Sequence, residues 1–171
     1  MNSLELLALN NFPLIDPGDD LASIIFDSIK DNELIINDND IIVIAQKIVS
    51  KAENRYINLK TIEISEEAKY LSKELNKDEG LVQAIINESN RILSTKKNVI
   101  IVEHKLGFIN INAGIDLSNV PCEDLALLLP KDPKKSAKYI QKNLSKKLNK
   151  KISIIITDSM TRPYRSGVIN F

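Results

Sequence analysis

The chain has 171 residues, with 23 basic and 23 acidic side chains and no formal net charge. Its 43% hydrophobic and 27% charged residues describe a folded chain rather than a disordered one, and the neutral balance gives no overall pull on nucleic acid or an anionic membrane. One histidine, His104, excludes every site that needs two imidazoles, and one cysteine, Cys122, excludes an internal disulfide and fits a reducing, cytoplasmic setting.

In chain order, Leu4 to Leu9 is a short apolar run that reads as a strand. Two prolines and a glycine make Asn10 to Gly18 a loop. Asp19 and Asp20 then open a helix whose apolar stripe is Leu21, Ile24, Ile25 and Ile29, the acids suiting its N-terminus. Asp40 to Ala45 is a continuous β-branched run and reads as a strand buried on both faces. Ser65, ahead of two glutamates, caps one helix. A second is expected from Asp78 to Leu93, with Leu81, Ile85 and Ile92 on one side. Val99 to Glu103 and Phe108 to Asn112 form a hairpin whose turn leaves His104 exposed. Asp132-Pro133 opens a lysine-rich helix reaching Asn149, solvated on its charged face. Lys151 to Thr157 is another buried strand, and Val168 to Phe171 begins a strand-like run that leaves an unpaired edge or a lost partner. Helices and strands without strict alternation, around a hairpin, predict an α+β fold: a mixed sheet with flanking helices. No apolar run approaches the ~20 residues that span a bilayer.

Three stretches carry candidate chemistry. Thr157-Asp158 leaves the end of a strand, a common place for a carboxylate that meets a hard cation. Arg162 and Arg165 follow, two of only four arginines, and arginine grips phosphate or carboxylate with two parallel bonds. The alternative is an Asp-capped turn with the arginines paired to local acids. The stretch from Asn112 to Asn119 supplies one carboxylate (Asp116), two amides, a hydroxyl and Gly114, which are oxygen donors of the kind Mg²⁺ or Mn²⁺ accepts, or an ordinary turn. Lys51, after a strand, can meet a phosphate as a point charge. There is no P-loop and no dinucleotide fingerprint. Cys122 has no evident base partner and reads as structural.

Together these segments resemble one family. Phe12-Pro13-Leu14-Ile15 with Gly18-Asp19-Asp20-Leu21, Ile48 to Glu53, Asn112 to Asn119, and Ile156-Thr157-Asp158-Ser159 with Arg162-Pro163-Tyr164-Arg165 and Gly167 look like the successive motifs of the coenzyme F-420:L-glutamate ligases. The resemblance runs from Leu4 to Phe171 and implies that family's α+β fold. It also implies a single ligase-like domain over residues 1–171 lacking the family's C-terminal segment, which carries a glycine-containing nucleotide segment and a further metal ligand. The implied activity is ligation of L-glutamate to the non-glutamylated deazaflavin precursor through an acyl phosphate. GTP is the phosphate donor, Mg²⁺ or Mn²⁺ the divalent cofactor, and a monovalent cation such as potassium a further one. On the family pattern Asp116, Asp158 and Ser159 are metal ligands, and Asn119, Lys51 and Pro13, Leu14 and Ile15 contact the nucleotide. Asp158, Arg162 and Arg165 are the expected catalytic residues, and the chemistry of arginine, rather than the family pattern, suggests that Arg162 and Arg165 hold phosphate or a substrate carboxylate. A homodimer is implied by analogy, with neither nucleic acid nor membrane as partner. The chain departs at Gln46 and Lys47, where family members carry small hydroxyl residues, and near Asn54 and Thr161, where they carry glycine. The competing expectation is a truncated, catalytically inactive nucleotide- and metal-binding module, or a structural subunit needing a partner chain.

Overall fold

A computed structural model describes residues 4–160, 166, 169 and 170. In chain order the elements are α1 (Leu21–Asp31), β1 (Ile41–Ala45), α2 (Gln46–Ala52), β2 (Tyr56–Asn58), α3 (Glu66–Leu75), α4 (Glu79–Asn87), β3 (Ser89–Lys96), β4 (Val99–His104), β5 (Ile109–Ile111), a 3₁₀ turn (Asn112–Gly114), β6 (Leu125–Leu127), α5 (Pro133–Leu148), β7 (Ser153–Thr157), β8 (Ser159–Met160) and β9 (Ile169–Asn170). The class is α+β, as the sequence predicts. Its strands are divided among small sheets: β1 with β7, β2 with β6, β3-β4-β5, and β8 with β9.

Each helix forms where its cap and apolar spacing agree. Asp20 accepts from the Ala22 amide and the Ser23 hydroxyl at the start of α1, and Leu21, Ile25 and Ile29 are buried beneath. Ser65 caps α3 through the Ala68 amide, and Asp78 caps α4 through that of Leu81. Asp132 accepts from the Lys135 amide, Pro133 occupies the first turn of α5, and Asn149 ends it in the left-handed conformation. Only Ile140 and Leu144 of α5 are buried, so most of its lysine-rich surface faces away from the core.

Two apolar clusters hold the elements. Ile25, Ile29, Ile44, Val49, Ile140, Leu144 and Ile152 join α1, α2 and α5 to the parallel pair β1–β7. Leu75, Val82, Ile85, Ile100 and Val102 join α3 and α4 to β4. Arg55 ties the segments together. Its Nη2 donates to Glu88 Oε2 at 2.9 Å and its Nε to the Leu129 carbonyl at 2.8 Å.

Several expectations are corrected. Residues 4–9 make no strand: among the described residues none pairs with them, and Leu4, Leu6 and Leu7 are exposed. The second of the paired helices ends at Asn87 rather than Leu93, because Ser89 to Lys96 pairs along β4 and a ladder partner outweighs the helical spacing of Ile92. Strands β1 and β7 are not buried on both faces, since Ile41, Val43 and Ile155 are exposed. His104 is not exposed but 2% accessible. It closes β4, and its ring stacks on Phe108 with centroids 5.1 Å apart. Cys122 is exposed rather than structural. Ile169–Asn170 pairs antiparallel with β8. The stretch Gln46 to Ala52, unassigned from sequence, is helix α2.

Candidate functional site

Parallel pairing is what gathers the candidate residues. Strands β1 and β7 run in register from Ile41↔Ser153 to Ala45↔Thr157, so their C-terminal ends open at one edge. Chain leaving that edge is the usual place for ligand-binding groups beside parallel strands. β1 passes straight into α2, setting Gln46 and Lys47 there, and β7 passes straight into Asp158. The loop after the 3₁₀ turn brings Asp116 to the same place. It is fastened by a two-way backbone bridge with Leu127: the Asp116 amide donates at 3.0 Å and the Leu127 amide returns a bond at 2.9 Å. Gly114 makes this approach possible. Its φ is +68°, and a Cβ there would lie 2.9 Å from a Leu129 methyl and 3.0 Å from Asn110 Nδ2.

The Asp116 carboxylate is densely hydrogen-bonded. Oδ1 accepts from the Ser118 amide at 2.8 Å and the Ser118 hydroxyl at 2.6 Å. Oδ2 accepts from Asn119 Nδ2 at 2.9 Å and meets Lys47 Nζ at 3.0 Å. Burial alone would raise its pKa, but the Ser118, Lys47 and Asn119 contacts outweigh it and hold the group well below the usual carboxylate range. Asp158 is shifted the other way. Burial raises its pKa and the Asp116 charge adds to that, against the Ser159 amide, Lys47 and Gln46. The Ser159 amide donates to Asp158 Oδ1 at 2.9 Å. Two carboxylates thus share the field of one ammonium.

Next to Asp158 lies a cleft of about 340 Å³. Leu106, Phe108, Leu129, Pro130 and Ile156 make its apolar wall, and Gln46, Thr157 and Asp158 close its polar end. The wall is fixed from behind. His104 Nδ1 accepts from the Leu106 amide at 2.9 Å, its ring stacks on Phe108, and Arg55 holds the Leu129 carbonyl. Burial, helped by the Arg55 and Lys105 charges, lowers the His104 pKa to about 4. With Nδ1 accepting, the ring proton sits on Nε2, which is buried 3.9 Å from Glu88 Oε2 and, among the described residues, has no hydrogen-bond partner.

The structure brings together Asp116, Asn119 and Asp158, with Ser159 following on β8. Lys51 lies one turn beyond Lys47 on α2. The Pro13–Leu14–Ile15 loop lies toward the far end of that helix, through a bond from the Gly18 amide to the Ala52 carbonyl at 2.9 Å. Pro13 and Leu14 are exposed, whereas the Ile15 side chain is buried in the core. Arg162 and Arg165 lie outside the described residues. Sequence reasoning marked Gln46 and Lys47 only as departures from the family pattern and did not foresee that they join Asp116 and Asp158. The signal was their position directly after a β-branched strand, hidden by the abundance of lysine.

The oxygen donors of Asp158 and Ser159 suit a hard divalent ion, which commonly needs only one or two carboxylates beside phosphate and water. Asp116 does not present itself as freely, since Lys47 already stands on Oδ2. Among the described residues no three His, Cys, Asp or Glu side chains converge as a metal cage, and no helix is long and apolar enough to cross a membrane.

Comparison with known proteins covers nearly the whole chain. The family F420-0:Gamma-glutamyl ligase matches residues 10–171. A Methanothermobacter thermautotrophicus protein named Coenzyme F420:L-glutamate ligase is 39% identical over 166 residues, 97% of this chain and 66% of its own length. The Methanopyrus kandleri protein of that name is 36% identical over 172 residues, 99% of this chain and 66% of its own. That of Methanocaldococcus jannaschii is 42% identical over 134 residues, 78% of this chain and 53% of its own. The chain therefore spans about two thirds of the length of the first two relatives.

Proposed function

The chain belongs to the F420-0:gamma-glutamyl ligase family, and from that premise we propose that it joins L-glutamate to the non-glutamylated deazaflavin precursor at the expense of GTP. The observation that carries this reading is the meeting of Asp116, Asp158, Lys47 and Asn119 at the C-terminal edge of β1 and β7, beside a cleft with an apolar wall. Such a site has what phosphoryl transfer asks for, positioning and charge, and little covalent chemistry of its own.

Two steps follow. A carboxylate oxygen of the precursor attacks the terminal phosphorus of GTP; the new O–P bond replaces the bond to the bridging oxygen, and GDP departs. The α-amine of glutamate then attacks the acyl carbon, the C–O bond to phosphate breaks, and the amide forms as the amine loses a proton. Lys47 supplies positive charge where phosphate oxygens gather. Asn119 donates through Nδ2 to Asp116 and Ser118, so it meets a ligand as an acceptor through Oδ1. Lys51 and the Pro13–Leu14–Ile15 loop line the nucleotide's path along α2, and Arg162 and Arg165 hold phosphate or the substrate carboxylate. Asp158 serves in this reading as the carboxylate that would hold the divalent ion, and the proton lost by the amine passes to the departing phosphate. Mg²⁺ or Mn²⁺ fits Asp158 and the Ser159 hydroxyl and, when bound, neutralises the nucleotide phosphates; a monovalent cation such as potassium is a further cofactor of the same reading.

Mass spectrometry tests the proposal. Incubated with GTP, Mg²⁺ or Mn²⁺, L-glutamate and the precursor, the chain should add one glutamyl residue to the precursor and release GDP, and Asp158→Asn should abolish both. Nucleotide binding without any glutamylated product would instead assign the chain to a non-catalytic binding module.

A further inference from the structure

We propose that Lys47 is the built-in cation of Asp116, so that a divalent ion at this edge is held from the Asp158 side and Asp116 becomes a ligand only when Lys47 is removed. The inference rests on the proposed function only in taking a metal to be used at this edge.

An ionised carboxylate offers about four lone-pair positions. On Asp116 all are engaged by this chain's own donors: the Ser118 amide and hydroxyl on Oδ1, Asn119 Nδ2 and Lys47 Nζ on Oδ2. Three of these come from the local turn and are spared by any change in α2. The fourth comes from another element and carries a full charge. Neither side of the pair is loose. Asp116 is pinned by its backbone bridge to Leu127. Lys47 sits in a helix anchored by the buried residues Gln46, Val49 and Ser50, with the Ser50 hydroxyl donating to Gln46 Oε1 at 3.0 Å. The Asp116 side chain is 14% accessible and that of Lys47 36%, so the contact is partly withdrawn from water and its charges are less screened. A divalent ion reaching Oδ2 would have to displace an ammonium of like sign held there at 3.0 Å.

Manganese binding to the whole chain tests this without nucleotide or turnover. In an electron paramagnetic resonance titration with Mn²⁺ alone, Lys47→Gln should bind the ion about tenfold or more tightly than the unsubstituted chain. Adding Asp116→Asn to Lys47→Gln should erase that gain, because the gain comes from a released ligand. Lys47→Thr, which also removes the charge, should behave as Lys47→Gln and serves if the latter folds poorly. An unchanged or weaker affinity in the Lys47 variants overturns the proposal. So does a gain that survives Asp116→Asn, since it would reflect only the lost positive charge. Because the probe is the metal alone, failure to detect ligase product refutes the proposed function and leaves this titration standing.

Discussion

His104 shows how a single residue links stability to the cleft. It is buried, accepts the Leu106 amide and stacks on Phe108, and its pKa is lowered to about 4. The unfolded chain takes up that proton near pH 6.5. The folded state resists it, so the stability contributed by keeping His104 neutral is complete above about pH 6.5 and is lost as pH falls toward about 4. The full effect is on the order of 3 kcal/mol. Urea midpoints measured across that range should fall with pH, and His104→Gln, which cannot titrate, should flatten the slope. An equal slope in the variant would show that other groups carry it. Asp116 acts lower on the scale. Its folded pKa is depressed, so its contribution is complete above the ordinary carboxylate value and fades as pH falls below it. Both carboxylates were legible in the sequence, because an aspartate after a strand and an aspartate in an Asn/Gly loop are rare enough to notice. Lys47 and His104 were not. Their roles depend on a pairing partner and on burial, neither of which residue identity reveals.

At the scale of elements, local signals and tertiary pairing divide the outcome. Asp20, Ser65, Asp78 and Asp132 each cap a helix through a bond a few residues long, so those starts could be read directly. The end of α4 could not, because it is decided by β4, on which β3 lies. The same holds for residues 4–9, apolar yet without a ladder partner among the described residues. Close approach between elements is equally invisible in sequence. Gly80 on α4 meets the loop after β2 so tightly that a Cβ would lie 2.2 Å from the Leu59 carbonyl oxygen. Gly80→Ala should therefore destabilise the protein by about 1–3 kcal/mol through overpacking, outweighing the better helix propensity of alanine. A lowered melting temperature in circular dichroism checks it; an unchanged or raised one would mean that α4 and the loop separate freely.

At the scale of the whole molecule, the β1–β7 pair leaves Ile41 at 59%, Val43 at 58% and Ile155 at 45% exposure on one face. Parallel strands are normally covered on both faces, and this apolar face is where the homodimer implied by the family resemblance is expected to form. Light scattering should give a mass twice 19.2 kDa, and Ile155→Glu should return it to that of one chain. A monomer before substitution would refute the dimer. The edge from which Lys47 and Asp158 emerge belongs to the same pair of strands, so the register of β1 on β7 governs the site. Thermal unfolding followed with GTP, with Mn²⁺ and with both together tests that edge as a nucleotide–metal site most directly. Joint addition should raise the melting temperature beyond either ligand alone, because a ligand that binds only the folded state stabilises it, and Asp158→Asn should remove the joint shift while melting close to the unsubstituted chain without ligand. No joint shift, or one that persists in Asp158→Asn, would contradict it.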